Sequence, residues 1–259
     1  MSCEIVIYTH SDYKDLWPII LDSLSMNKIQ TKIHFAVNKV PEVNELEKFN
    51  LCFYDDTLTY PSRLASICKQ ISSDYLFFFH DIDVLVHYDQ SRLNTLIEWI
   101  AAMDVDRFSL GIYPTTSYVT TYENIPIAKL EKNTCEWFTT PYDPGPSIWK
   151  RSTFEEVMTQ FSNETYRTIE SSGIQDILLT KNVFGFAKRS LYPLFTIGRP
   201  YTPWFAFCHL LIRGQWVCNE GWQSFESFMA IMLHKHKIKQ AIRGISEYHI
   251  RMANGFDIE

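Results

Sequence analysis

A buried strand that ends in two carboxylates is the feature that most constrains how this 259-residue chain can fold. Residues 75–80 (Tyr-Leu-Phe-Phe-Phe-His) carry no Asp, Glu, Lys or Arg, and Asp81 and Asp83 follow directly. A continuous run of large apolar residues is typical of a strand that is covered on both faces of a parallel sheet. Because an unpaired charge is costly to bury, both carboxylates are predicted to lie where this strand surfaces, at the carboxyl edge of the sheet. Ligands bind at that edge in open α/β sheets.

Strand and helix patterns alternate through the first 90 residues. Strands are predicted over residues 4–8, 32–37 and 51–54, and helices over residues 13–25 and 61–71. This alternation favours a Rossmann-like, mostly parallel central sheet flanked by helices.

The second half of the sequence is more irregular and is predicted to be the variable part of the fold. The elements expected there are a strand over residues 108–113 and helices over residues 91–103, 152–161, 168–182 and 225–239. No repeat, linker or low-complexity segment divides the chain. The simplest organisation is one domain over residues 1–259, with a nucleotide-binding half (1–113) and an acceptor half (114–259).

Composition restricts the functional classes. The net charge of −6 argues against a dedicated nucleic-acid binder, which normally has a basic face. No apolar run reaches transmembrane length, so peripheral contact is the one kind of membrane contact expected. The six cysteines include no Cys-x-x-Cys pair, which is typical of buried, reduced thiols in a cytoplasmic protein.

The two carboxylates after the buried strand are metal-ligand candidates. Asp81 and Asp83 offer hard oxygen atoms, which suit Mg²⁺ or Mn²⁺ held partly by the phosphates of a substrate. An Asp-x-Asp triplet on its own is common in proteins, so the weight of this interpretation rests on the buried strand that precedes it.

Four short segments follow one another in a defined order. They are Tyr8-Thr9-His10 at the end of the first strand, Arg63-Leu64-Ala65 ahead of the Asp-x-Asp strand, Gly145-Pro146-Ser147-Ile148-Trp149-Lys150-Arg151, and Gln175-Asp176. In this order they resemble the motifs of GT-A-fold, nucleotide-sugar-dependent glycosyltransferases. The resemblance covers roughly residues 4–180 and lies in order and spacing.

The resemblance implies a metal-dependent transfer of a sugar from a nucleotide-sugar, a UDP- or GDP-sugar, to a glycan or glycolipid acceptor. The Asp-x-Asp carboxylates would hold Mn²⁺ or Mg²⁺. The residues that it implies as donor contacts are Thr9, Arg63, Asp81 and Gly145. An arginine suits a diphosphate because its planar guanidinium is always charged, although Arg63 could equally form a surface ion pair with Asp55 or Asp56.

The resemblance also implies an inverting reaction with Asp176 as the general base that deprotonates the acceptor hydroxyl. Gln175 stands where many inverting members carry an acid, and Glu170 is the substitute candidate. An ordinary exposed residue of an amphipathic helix would show the same pattern as Asp176. Some members of the family add a C-terminal histidine to the metal shell, and His209 is the candidate here. A histidine in an apolar run is more often a hydrogen-bonded core residue.

Three other functions remain open at this point. A catalytically inactive glycan- or nucleotide-sugar-binding domain would share the fold and the cleft. A sugar nucleotidyltransferase would need a glycine-rich phosphate loop after the first strand, and residues 8–15 contain no glycine. A metal-dependent phosphohydrolase would need more clustered acidic or histidine ligands than the sequence shows.

Overall fold

The computed structural model describes residues 1–40, 46, 48–113, 120–122, 125–130, 141–187, 204–212, 214–217 and 225–246. The strands in this part of the chain are β1 (Cys3–Tyr8), β2 (Ile33–Val37), β3 (Asn50–Phe53), β4 (Tyr75–His80), β5 (Asp83–Tyr88), β6 (Arg107–Tyr113), β7 (Thr120–Tyr122), β8 (Ile125–Lys129), β9 (Ser147–Lys150), β10 (Val183–Ala187), β11 (Phe205–His209), β12 (Leu211–Ile212), β13 (Gln215–Val217) and β14 (Ile245–Ser246). The helices are α1 (Trp17–Met26), α2 (Tyr60–Cys68), α3 (Gln90–Ala102), α4 (Arg151–Gln160), α5 (Ile174–Leu178) and α6 (Glu226–Lys235).

A nine-stranded sheet in the order β3-β2-β1-β4-β9-β6-β10-β8-β7 forms the centre of the fold. The first four strands in this order are mutually parallel. Strands β9 and β8 run opposite to the others, because each pairs antiparallel with its neighbours. The predicted α/β class, with a mostly parallel central sheet flanked by helices, is therefore confirmed.

Helices cover both faces of this sheet, and the alternation of side chains along β4 shows how. Phe77 and Phe79 pack in a core cluster with α1, α3 and α6, whereas Phe78 packs in a second cluster with α2 and α4. Successive side chains of a strand point to opposite faces, so a strand buried on both sides must be apolar throughout. This is why the run that ends at Asp81 contains no charged residue.

The structure differs from the sequence prediction after the Asp-x-Asp motif. Asp83 begins a strand, β5, which was not predicted, and β5 pairs antiparallel with β11. The predicted helix over residues 168–182 is instead a 3-10 turn at Ile169–Ser171 followed by the five-residue α5. Extended backbone at Ser172 separates the two.

The described cysteines are free thiols at Cys3, Cys52, Cys68 and Cys208. Burial raises the pKa of Cys3 and Cys68 to about 12 and the pKa of Cys52 to about 11. These thiols are packed and unreactive, as the sequence indicated. The other two cysteines, Cys135 and Cys218, lie outside the described residues. Within the described ranges, no helix combines the length and the apolarity needed to cross a membrane.

Candidate functional site

A cleft of about 1130 Å³ opens at the carboxyl edge of the parallel strands β1 and β4. Its wall is formed by the end of β1 and the turn after it, by α2, by the end of β4, by the segment before α5 and by the segment after β11. Its lining residues are Tyr8, His10, Asp12, Tyr13, Tyr60, Arg63, His80, Asp81, Ile82, Tyr166, Arg167, Glu170, His209, Leu211 and Gly214. The structure therefore has a cavity at the strand edge where the sequence predicted the site.

Asp81 follows β4 directly and lies at the bottom of the cleft. Its carboxylate accepts hydrogen bonds from the Thr9 hydroxyl and from the backbone N–H of His10. Burial nevertheless dominates and raises the pKa of Asp81 to about 7, and the nearby charge of Asp83 adds to the effect. Asp81 reaches the cleft with 4% of its surface, whereas Asp83 is fully buried, so the expectation that both carboxylates surface at the strand end needs correction for Asp83.

Thr9 explains how Asp81 is held. Its hydroxyl accepts from Trp17 Nε1 at 2.7 Å while it donates to Asp81, and its carbonyl accepts from the Tyr54 hydroxyl at 2.6 Å. Thr9 is fully buried. The structure therefore places this residue beneath the cleft, whereas its neighbours Tyr8 and His10 line it. The Thr9 hydroxyl is thus used in holding Asp81, and the donor contact that the resemblance implies for Thr9 stays a prediction.

Asp83 and His209 face each other across the β5–β11 pair. Asp83 Oδ1 lies 2.8 Å from His209 Nδ1, and the two residues are register partners. Asp83 is fully buried behind the cleft, and His209 lines it. The sequence favoured a core role for His209, because the run from Trp204 is apolar.

Arg63 lines the cleft from the first half of α2. Its guanidinium donates to the carbonyls of Leu58 at 2.8 Å and Asp56 at 2.5 Å, and it lies 3.5 Å from the Asp56 carboxylate. It also contacts the Tyr8 hydroxyl at 3.4 Å and packs over the Tyr54 ring. The ion pair that the sequence allowed is present, and the positive charge still borders the cleft.

The polar corner beside Arg63 was missed by the sequence analysis. Asn38 Nδ2 donates to Asp56 Oδ2 at 2.5 Å, and His10 Nε2 lies 3.2 Å from the same carboxylate. Asn38 also accepts from the backbone N–H of Ser11 at 2.9 Å. The ends of β1, β2 and β3 thus form one hydrogen-bonded corner, which becomes visible only when the parallel strands are aligned.

His80 connects the aromatic wall of the cleft to the loop before β9. Its Nδ1 lies 3.0 Å from the carbonyl oxygen of Pro144, which can only accept, so Nδ1 carries the hydrogen. In the neutral ring Nε2 then accepts from the Tyr60 hydroxyl at 2.8 Å. Tyr166 packs edge-on against Tyr60 and leaves 44% of its surface exposed in the cleft.

The loop over residues 141–146, which contains Gly145, is fixed from several sides. The buried guanidinium of Arg107 donates to the carbonyls of Pro141 at 2.5 Å and Asp143 at 3.0 Å, and pairs with the Asp143 carboxylate at 3.2 Å. Gln175 donates to the Tyr142 carbonyl at 2.9 Å and accepts from its N–H at 2.8 Å.

The Gly145 N–H donates to Asp143 Oδ1 at 2.7 Å. Gly145 itself is buried next to the cleft wall that His80 supplies.

The two candidate bases occupy different places. Asp176 is exposed on α5 and is not among the residues that line the cleft, whereas Glu170 lines it. Gln175 explains the difference, because its amide binds the backbone of Tyr142 and orients α5 with the next side chain outward. The acidic-pair position therefore supports the loop before β9, and the prediction of Asp176 as the base stands untested beside its substitute, Glu170.

The donor atoms at the bottom of the cleft fit a cation that is bound together with a ligand. Two carboxylates and an imidazole are near one another, with Asp81 and His209 on the surface of the cleft. In the part of the chain that the structure describes, no group of three His, Cys, Asp or Glu side chains is arranged to hold a metal by itself. Mg²⁺-type sites commonly use one or two carboxylates and complete the shell with substrate phosphates and water.

Comparison with known proteins gives structural similarities alone. No protein-family model and no curated sequence matches the chain. Residues 1–349 of S. aureus TarS in complex with UDP superpose with a TM-score of 0.47 at 9% identity, covering 94% of this chain and 68% of that one. The bifunctional IspDF from Campylobacter jejuni gives 0.41 at 13% identity and covers 73% of this chain. The chain spans 50% of the length of IspDF and 36% of a longer TarS structure.

Proposed function

We propose that the chain is a metal-dependent glycosyltransferase that moves a sugar from a UDP- or GDP-sugar to a glycan or glycolipid acceptor. The observation that carries this proposal is the cleft bottom, where Asp81 lies beside the Asp83–His209 pair at the carboxyl edge of parallel strands. A carboxylate at this position, in a cleft that the Arg63 guanidinium on α2 also lines, is suited to a negatively charged ligand that binds together with a metal ion.

The donor would lie across the ends of β1 and β4. Its diphosphate would approach Asp81 through the metal ion and the Arg63 guanidinium, while the polar corner of Asn38 and Asp56 would contact the nucleoside end. Arg63 is held by two carbonyls and the Tyr8 hydroxyl, so its charge is preorganised and needs little rearrangement. Thr9 would act by orienting Asp81 from beneath the cleft.

Mn²⁺ or Mg²⁺ would be held by Asp81 and Asp83, and His209 is the candidate third ligand. When bound, the ion would neutralise the charge that develops on the leaving diphosphate. The raised pKa of Asp81 fits this role, because a carboxylate that is difficult to ionise alone gains most from a divalent cation.

The general base of an inverting transfer would be Glu170 in this geometry, because it lines the cleft and Asp176 does not. We expect Glu170→Gln to lower the rate constant of transfer by about 100-fold or more while donor affinity changes little. The matched variant Asp176→Asn should keep its activity. Transfer of radiolabelled sugar, measured for both variants, checks this. The opposite ranking of the two variants would return the base role to Asp176.

The experiment that tests the proposal is a thermal-shift and calorimetry panel of nucleoside diphosphates and nucleotide-sugars, with Mn²⁺ and with EDTA. A ligand that binds the native state raises its melting temperature, by about 5 °C at a hundredfold excess over Kd. We expect one nucleotide class to bind, and Mn²⁺ to be needed for it. If no nucleotide binds under either condition, the glycosyltransferase proposal fails.

An inactive binding domain of the same fold remains the second candidate, and one observation favours it. Many inverting GT-A glycosyltransferases carry two neighbouring acids at the position that Gln175 and Asp176 occupy here, and in this chain Asp176 is exposed. Mn²⁺-dependent nucleotide-sugar binding without hydrolysis or transfer, in the wild type and in Glu170→Gln alike, would select this function.

A further inference from the structure

The segment from α6 to β14 has a charge opposite to that of the rest of the chain. Residues 231–246 contain Lys235, Lys237, Lys239 and Arg243 and no Asp or Glu. The chain as a whole has a net charge of −6. A basic stretch of this density in an acidic protein marks a local surface with its own electrostatic preference.

The same segment exposes large apolar side chains. Ile231 is 63% exposed, Ile242 is 82% exposed and Ile245 is 51% exposed. We call these three residues, together with the exposed lysines of the segment, the C-terminal basic surface; its lysines are Lys235, Lys237 and Lys239. Single exposed apolar residues are common, but three within fifteen residues give this basic segment a mixed apolar and charged character.

This surface is attached firmly to the domain. Lys235 and His236 both contact the Asp22 carboxylate on α1, the latter at 2.7 Å. Arg243 pairs with Asp15 at 2.5 and 2.7 Å. Lys237 and Lys239 form no ion pair with any described residue, so their charges face outward.

The anchor at Arg243 also fixes where the surface lies. The Arg243 guanidinium packs over the Tyr13 ring at 4.9 Å and donates to the Asp12 carbonyl at 2.8 Å. Tyr13 and Asp12 line the cleft, as does Gly214 at the start of the β13 segment that pairs with β14. Arg243, the direct neighbour of Ile242 in this segment, therefore lies at the rim of the cleft.

We propose that the C-terminal basic surface binds an anionic lipid bilayer. Lysine charges attract anionic headgroups, and isoleucine side chains gain from entering the boundary between headgroups and acyl chains. Each contribution is modest alone, and stable peripheral binding commonly needs both. The segment supplies both on one continuous, anchored stretch of chain, in which Lys237 and Lys239 precede the most exposed isoleucine, Ile242.

A consequence follows for the acceptor, and it rests on the function proposed above. With the bilayer at the rim of the cleft, the acceptor class that fits is a glycan linked to a lipid, whose sugar end can enter the cleft while its anchor stays in the membrane. The lipid binding itself does not depend on any activity of the cleft.

The test is co-sedimentation of the full chain with vesicles of phosphatidylcholine alone or with one third phosphatidylglycerol. We expect binding to the anionic vesicles only, with loss of binding at high salt. The double variant Lys237→Gln/Lys239→Gln should weaken partitioning by about 25-fold, since each lysine near an anionic surface contributes about fivefold. Ile242→Ser should weaken it by at least about fivefold.

Matched controls carry the same changes on other exposed parts of the chain. They are Lys48→Gln/Lys69→Gln for the charge and Met103→Ser for the apolar side chain. Equal pelleting with neutral and anionic vesicles, or equal losses in the control and test variants, would overturn the proposal. A dimer that forms without lipid and is lost in Ile242→Ser would assign the surface to a second copy of the chain. Nucleotide binding, measured in parallel, should be unchanged in every variant, so failure here leaves the proposed function standing.

Discussion

Replacement of Asp83 by alanine is expected to weaken Mn²⁺-dependent nucleotide binding by about 100-fold, while the protein remains folded. Asp83 lies behind the cleft, and its Oδ1 lies 2.8 Å from His209 Nδ1. Without this carboxylate the imidazole loses the partner that fixes its orientation, and the cation loses one of its two charged oxygen sources. Calorimetry with the nucleoside diphosphate that binds the wild type, in Mn²⁺ and in EDTA, measures the effect.

Two further variants separate this effect from misfolding. Asp83→Asn keeps the volume of the side chain and should lose affinity as Asp83→Ala does, with a normal melting temperature. Asp104→Ala removes an exposed carboxylate that pairs with Lys150, and its nucleotide affinity should equal that of the wild type. If EDTA leaves the affinity of the wild type unchanged, the carboxylates do not act through a metal and this assignment is wrong.

Arg107→Met is expected to lower the free energy of unfolding by about 3 kcal/mol. The guanidinium is fully buried, binds the carbonyls of Pro141 and Asp143, and packs over Trp149 at 5.1 Å. Methionine keeps the apolar contacts but leaves both carbonyls and the Asp143 carboxylate without this donor. Urea unfolding followed by tryptophan fluorescence gives the difference, provided that the transition is two-state.

Arg151→Met is the comparison for this change. Arg151 is partly exposed and pairs with Glu155 at 3.5 Å within one helix, so its loss should cost less than about 1 kcal/mol. Equal destabilisation by the two variants would show that the burial and the loop contacts of Arg107 add nothing to the free energy of unfolding. We also expect Arg107→Met to weaken donor binding, because the loop over residues 141–146 borders the cleft.

The parallel half of the fold could be predicted because its information is local. The apolar run of β4 and the alternation of strands and helices before it depend on residues close in sequence. Strand β5 was missed because Asp83 and its partner His209 lie 126 positions apart, and no local pattern reports such a pairing. The short α5 was overpredicted since Gln175 and its neighbours have helical periodicity, while contacts to Tyr142 determine their backbone.

The site residues also divide into those that a local sequence pattern predicts and those that tertiary contacts place. Asp81 was predicted at the cleft because it ends a buried strand, and Arg63 because it begins the preceding helix. The position of Thr9 beneath the cleft depends on hydrogen bonds to Trp17 and Tyr54, which belong to different elements. The exposure of Asp176 depends on how α5 is held, by Gln175 against Tyr142 and by the buried Ile174 and Leu178. Such contacts arise from packing, and spacing along the chain does not encode them.

The β5–β11 pair has a consequence for the order in which the protein assembles. The parallel strands can form from residues 3–80, but the bottom of the cleft is complete only when residues 205–209 have paired with β5. Closing so long a loop is an entropically late event in folding. A nucleotide that binds there would stabilise the pairing of β5 with β11, so without its ligand the protein should be cleaved by proteases first in its C-terminal half.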